Sequence, residues 1–114
     1  MPQPVIGRAV LNSGQEIRLS GPVILGREPE AKRVTDGPLP TLVPLPRNHI
    51  SRNHVRLLVE GWQAFAADLH SKNGTVLYRR GHPPVRLTER PAQLSQGDVL
   101  DFGHGVILTI EELP

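Results

Sequence analysis

Cysteine is absent from the 114-residue sequence. Disulfides, iron–sulfur clusters and thiolate zinc sites are therefore excluded, and the composition suits a reducing compartment. Aromatic residues are scarce: Trp62, Phe65, Tyr78 and Phe102 are the full set. Val, Leu and Ile must supply most of any core. Lysine occurs only at Lys32 and Lys72, so arginine carries most of the basic character. No apolar run approaches the ~20 residues that span a bilayer. The opening MPQPVIGRAV has neither a basic n-region nor a long apolar stretch, so no signal peptide is read. These absences lead to the expectation of a cytoplasmic domain without membrane contact. One domain over residues 1–114, with its core at about 5–110, fits this length, and a longer protein could contain it.

The apolar residues recur with the period of strands. VIGRAVL (Val5–Leu11), NSG and QEIRL (Gln15–Leu19) read as a hairpin, because Asn and Gly tolerate the left-handed backbone of a tight turn. PVILG (Pro22–Gly26) reads as a third strand. TLVPL (Thr41–Leu45) contains Pro44, which cannot donate to a ladder, so an edge position is expected. HVRLLVE (His54–Glu60) and WQAFAADL (Trp62–Leu69) form a second hairpin around Gly61. TVLYR (Thr75–Arg79), VRLT (Val85–Thr88), VLDFG (Val99–Gly103) and VILTIEE (Val106–Glu112) complete the series. Short strands about 8–12 residues apart, with turn residues between them, indicate an all-β antiparallel sandwich or barrel. No window shows sustained helical periodicity.

EPEAKRVTDGPLP (Glu28–Pro40) interrupts this rhythm with Pro, Gly and charge. Loops of this length in small domains are common places for binding residues. RRGHPPV (Arg79–Val85) is a shorter segment of the same kind.

Polar residues crowd the start of one strand in ISRNH (Ile50–His54). Ser51, His54 and Asp68 have the composition of a hydrolase triad. A Gly-x-Ser-x-Gly elbow is lacking, and a nucleophile needs an activating geometry and an oxyanion hole. No catalytic residue is assigned. The five histidines, His49, His54, His70, His82 and His104, include no helix-spaced pair with a carboxylate, so no metal site and no cofactor are assigned. A net charge of +2 and the few aromatics weigh against nucleic acid.

Four segments occur in order: LGRE (Leu25–Glu28), ISRNH (Ile50–His54), DLHSKNGT (Asp68–Thr75) and LSQGDVLDFG (Leu94–Gly103). Together they resemble the forkhead-associated (FHA) domain, whose pattern is Gly-Arg, Ser-x-x-His, a turn ending Asn-Gly-Thr, then Gly-Asp and a final apolar strand. The resemblance runs from about Val5 to Ile110. It implies an FHA/SMAD-like antiparallel sandwich of about eleven strands. It also implies a module that binds phosphothreonine peptides on loops at one end and is not an enzyme. By position, Arg27 and Ser51 would hold the phosphate, with further contacts from Arg52 and Lys72. Asn73 would bond the peptide backbone. Gly26, His54, Gly74 and Thr75 would shape the loops. The partner implied is a phosphothreonine-containing protein or peptide, a Ser/Thr kinase or its substrate. A phospho-independent scaffold or self-association module of the same fold is the alternative. The Arg27–Ser51 connection is longer than is common in the family; Lys32, Arg33 and Arg47 lie in or beside it.

The chemistry of such a ligand agrees with these residue types. A phosphothreonine carries roughly −1.5 to −2 charges and three strong acceptor oxygens. Two guanidinium groups, a hydroxyl and an amide are donors without a competing base. Ordering costs offset much of the gross interaction, so affinity near ~1 μM, about −8 kcal/mol, is expected.

Overall fold

The computed structural model describes residues 4–31 and 38–114. Lys32 and Arg33 lie outside the described residues. Eleven strands are present: β1 (Arg8–Leu11), β2 (Glu16–Arg18), β3 (Val23–Gly26), β4 (Thr41–Pro44), β5 (Val55–Glu60), β6 (Gln63–Asp68), β7 (Val76–Tyr78), β8 (Val85–Arg86), β9 (Ala92–Gln93), β10 (Val99–Asp101) and β11 (Ile107–Glu111). They form a six-stranded sheet, β2-β1-β11-β10-β7-β8, and a five-stranded sheet, β4-β3-β5-β6-β9. No helix among the described residues is long and apolar enough to cross a membrane.

The period-two pattern places alternate residues in the space between the sheets. Ala9, Leu11, Leu77, Leu100, Leu108 and Ile110 point inward from the larger sheet, and Val23, Leu25, Val55, Leu57, Ala64 and Ala66 from the smaller. Each fully buried Val, Leu or Ile contributes about 1.5–3 kcal/mol relative to exposure. Phe102 is the one buried aromatic, whereas Trp62 and Tyr78 are exposed. Aliphatic side chains therefore form nearly the whole interior.

Both expected hairpins are present. Their turns place Gly14 at φ 100° and Gly61 at φ 60°, conformations that a side chain disfavours. Pro44 lies in an edge strand, where its missing N–H breaks no interior ladder. Two features depart from the sequence reading. The β3–β4 pair is parallel, with Val23 opposite Thr41 and Gly26 opposite Pro44. Parallel neighbours need a crossover of about a dozen residues, and the 27–40 connection provides that length. The second departure is β9, two residues with no alternating signal, which is held through pairing with β6.

Candidate functional site

The connections leaving β3, entering β5 and linking β6 to β7 meet at one end of the sandwich. Gly26 allows the closest approach. A Cβ built there would lie 1.9 Å from the Arg52 carbonyl oxygen. Without it, the chain after β3 runs against the 51–53 segment. The Arg27 N–H donates to the Ser51 carbonyl at 2.9 Å and the Glu28 N–H to the Arg52 carbonyl at 3.3 Å. The Leu45 N–H donates to the Gly26 carbonyl at 2.7 Å, tying in the segment after β4.

Arg27 projects from this junction. Its Nε–H donates to the Ile50 carbonyl at 3.3 Å, and its terminal nitrogen pairs with Glu28 at 2.9 Å. About a third of the side chain is exposed, so the guanidinium is anchored yet reachable. Arg52 is exposed and its side chain has no ion pair among the described residues.

Ser51 joins two loops. Its N–H donates to His54 Nδ1 at 3.0 Å, and its Oγ accepts the Lys72 N–H at 2.9 Å. The hydroxyl proton has no acceptor among the described residues. A hydroxyl whose oxygen is held by a backbone donor still has its own O–H to give to an anion.

His54 is fully buried and stacks on Phe102 at 5.2 Å between ring centroids. Because Nδ1 accepts, the proton resides on Nε2, which donates to the Gly74 carbonyl at 3.0 Å. Burial, the largest influence, lowers the His54 pKa and favours this neutral ring, although the Gly74 carbonyl and Asp68 act in the opposite sense. One imidazole thus ties the Ser51 loop to the β6–β7 loop.

Asp68 organises that second loop. Its carboxylate accepts the Ser71 N–H at 2.8 Å, the Ser71 hydroxyl at 2.6 Å and the Thr75 hydroxyl at 3.0 Å. Thr75 is fully buried. Ser71 Oγ in turn accepts the Gly74 N–H at 3.0 Å. Gly74 takes φ 82°, a left-handed turn that glycine adopts without strain. This curl exposes Lys72 and Asn73 at its tip. The Asn73 amide donates to the His49 carbonyl at 2.7 Å, leaving its amide oxygen and second N–H to meet a ligand.

Hydrogen bonds thus bring the segments bearing Arg27, Ser51, Lys72 and Asn73 together, with Arg52 next to Ser51 in the chain and Gly26, His54, Gly74 and Thr75 shaping the same loops. Ser51, His54 and Asp68 are not wired as a triad. Both imidazole nitrogens are engaged by backbone, and Asp68 holds Ser71 and Thr75. Among the described residues no group of three His, Cys, Asp or Glu side chains could hold a metal ion.

Sequence reasoning missed several participants. Asp68 and Ser71 stand three apart, the spacing at which a carboxylate caps a turn N–H, and this signal was available. His49 is placed by longer-range contacts: its Nε2 bonds the Gly103 carbonyl at 2.9 Å and its ring meets His104 at 4.5 Å. Pro46, Arg47, Asn48, His49 and His104 line an open cleft of about 410 Å³ beside Asn73.

A family model described as FHA domain matches residues 23–103. No curated protein sequence matches the chain. Among solved structures, the FhaA FHA domain complexed with the intracellular domain of Rv3910 is 29% identical; the alignment covers 91% of this chain and 98% of that one, with a TM-score of 0.65. A structure from a study of phosphothreonine-dependent FHA domain interactions is also 29% identical, covering 94% and 96% of the two chains at a TM-score of 0.66. The FHA domain of the CT664 protein from Chlamydia trachomatis shares the fold at 23% identity, covering 91% and 96% with a TM-score of 0.65. The Gly26–Arg27 junction, the Ser51–His54 bond and the Asn73–Gly74 turn all fall inside the matched span, and the chain belongs to the FHA domain family.

Proposed function

We propose that this chain is a phosphothreonine-dependent binding module that captures a partner protein in the cytoplasm after a Ser/Thr kinase has acted on it. The observation that carries the reading is Ser51. Its hydroxyl oxygen is fixed by the Lys72 N–H, its proton has no described acceptor, the Arg27 N–H is bonded to its carbonyl, and Arg52, exposed, follows it in the chain. A phosphate bringing roughly −2 charges and several acceptors fits these donors. Arg27 and Ser51 take phosphate oxygens, with Arg52 and Lys72 adding positive charge. Asn73, steadied through His49, bonds the peptide backbone next to the phosphothreonine. Gly26, His54, Gly74 and Thr75 keep the loops in place. Binding rather than catalysis is favoured because the imidazole beside Ser51 has both nitrogens occupied. Two structural relatives support it: one, 29% identical, comes from a study of phosphothreonine-dependent FHA domain interactions, and the MEK1 FHA domain, 19% identical, forms a complex with a HOP1 phosphothreonine peptide.

The test is calorimetric titration with a degenerate library containing fixed phosphothreonine, beside matched phosphoserine and unphosphorylated libraries. Binding at ~micromolar affinity to the phosphothreonine set is expected, with Arg27→Ala and Ser51→Ala abolishing it while the fold persists. Equal binding to all three libraries, or undiminished affinity in either folded variant, would refute the reading.

A further inference from the structure

One basic residue at the edge of this site takes no part in the pattern of Arg27, Ser51 and Asn73. Arg86 ends β8, an edge strand, and pairs with Val76 of β7. Its side chain reaches back along the sheet to Gly74. A Cβ built on Gly74 would stand 2.7 Å from both Cζ and a terminal nitrogen of Arg86, and 2.9 Å from its Nε. The guanidinium therefore occupies the space that a side chain at position 74 would fill. It packs against the backbone of the turn that presents Asn73.

Three features give this placement a consequence. Arg86 is exposed and has no hydrogen bond or carboxylate partner among the described residues. The nearby carboxylates are engaged: Asp68 holds Ser71 and Thr75, and Asp101 accepts the Gly103 N–H at 2.7 Å. The support under Arg86 is itself fixed, since the Gly74 carbonyl accepts from buried His54 and the Gly74 N–H is held by Ser71. A long side chain packed against fixed backbone has less rotamer freedom to lose on binding than one in open water.

We infer that Arg86 is a peptide-reading residue: its guanidinium, laid over Gly74 at the rim of the site, takes an acidic side chain flanking the phosphothreonine. This rests on the phosphothreonine reading and adds a partner chemistry to it. The ligand is a phosphothreonine segment with Asp or Glu on the side that leaves the site across Gly74. The opposite side leads past Asn73 to His49 and the cleft of about 410 Å³. A planar guanidinium with an open edge accepts a carboxylate in a bidentate fashion.

The experiment is a positional walk. A phosphothreonine peptide with neutral flanks receives a single Asp, then a single Lys, at each position on either side of the phosphothreonine. Each is titrated against the wild type, Arg86→Ala and Arg86→Glu. At one position the wild type should favour Asp over Lys, with a gain of about threefold over the neutral peptide, typical of an exposed ion pair. Arg86→Ala should remove that gain, so that it binds the Asp peptide no better than its own neutral peptide, and Arg86→Glu should favour Lys at the same position. If the wild type and Arg86→Ala give the same profile at every position, the role of Arg86 is overturned while phosphothreonine binding stands. If the wild type binds no phosphothreonine peptide, both readings fall.

Discussion

The backbone N–H of Ser51 donates to Nδ1 of His54 at 3.0 Å, so the protonation state of a buried ring helps position a half-buried serine. The same ring donates from Nε2 to the Gly74 carbonyl at 3.0 Å. Were Nδ1 protonated, two donors would face each other at Ser51 and the link between loops would break.

This arrangement makes stability depend on pH in a defined direction. Burial lowers the pKa of His54 from its ordinary 6.5. Between that value and the lower folded-state pKa, the unfolded chain binds a proton here that the folded chain does not, so stability falls as pH falls. Above pH 6.5 this contribution is constant. Urea midpoints measured across mildly acidic pH should decline in the wild type and decline less in His54→Asn. Identical slopes would assign the titration to another group.

Asp68 serves three donors at once, and Asp68→Ala strands the Ser71 N–H, the Ser71 hydroxyl and the Thr75 hydroxyl. Loss of a buried, charge-assisted acceptor should cost about 3 kcal/mol or more in denaturant unfolding. Phosphopeptide affinity should fall as well, because the tip bearing Lys72 and Asn73 loses its frame. A folded variant with wild-type affinity would show that the turn holds its shape without the carboxylate.

Gly26→Ala tests close approach without changing charge. The new methyl would meet the Arg52 carbonyl oxygen at 1.9 Å, far inside van der Waals contact, so β3 and the 51–53 segment must part. We expect a loss of about 2 kcal/mol or more and weakened phosphopeptide binding. Gly21→Ala is the control, since nothing lies within 4 Å of its added Cβ; it should change stability by less than about 0.5 kcal/mol. Equal unfolding midpoints for the two variants would remove the case for Gly26.

Arg79 and Asp98 offer a prediction confined to stability. Two Arg79 nitrogens donate to the two carboxylate oxygens of Asp98 at 3.0 and 2.7 Å, and Asp98 is almost fully buried. Removing Arg79 leaves the buried Asp98 carboxylate with the Ser95 N–H at 2.7 Å as its remaining donor, and because Arg79 is itself about a third exposed the cost should be about 1–3 kcal/mol. Arg79→Ala should lower the unfolding midpoint sharply, yet the protein that remains folded should bind phosphopeptide like the wild type. A matching drop in affinity would connect this pair to the binding loops.

Much of the architecture is legible along the chain because strands report themselves locally. Alternation in VRLLVE needs only its own residues to reveal one buried face, and Asn-Ser-Gly needs only its own conformational freedom to mark a turn. The β9 strand gives no such signal: Ala92 and Gln93 become a strand only because the edge of β6 is there to pair with. The parallel β3–β4 pairing is likewise invisible in either strand alone. At the site, the residue types and their order in Gly-Arg, Ser-x-x-His and Asn-Gly-Thr are visible, whereas their wiring is not. That Ser51 presents its N–H, rather than its hydroxyl, to His54 is a matter of distances between segments.

By itself, then, the sequence determined an aliphatic, cysteine-free β-sandwich and the set of polar residues its loops carry. Those follow from local periodicity, turn chemistry and side-chain type. Only the tertiary structure decided which of these residues meet and which proton goes where. It placed Ser51 Oγ under the Lys72 N–H, turned His54 inward against Phe102, and laid Arg86 over Gly74. Hydrogen bonds and close packing act over a few ångströms, and residues as far apart in the chain as Ser51 and Lys72 come within that range only when the sheets have paired.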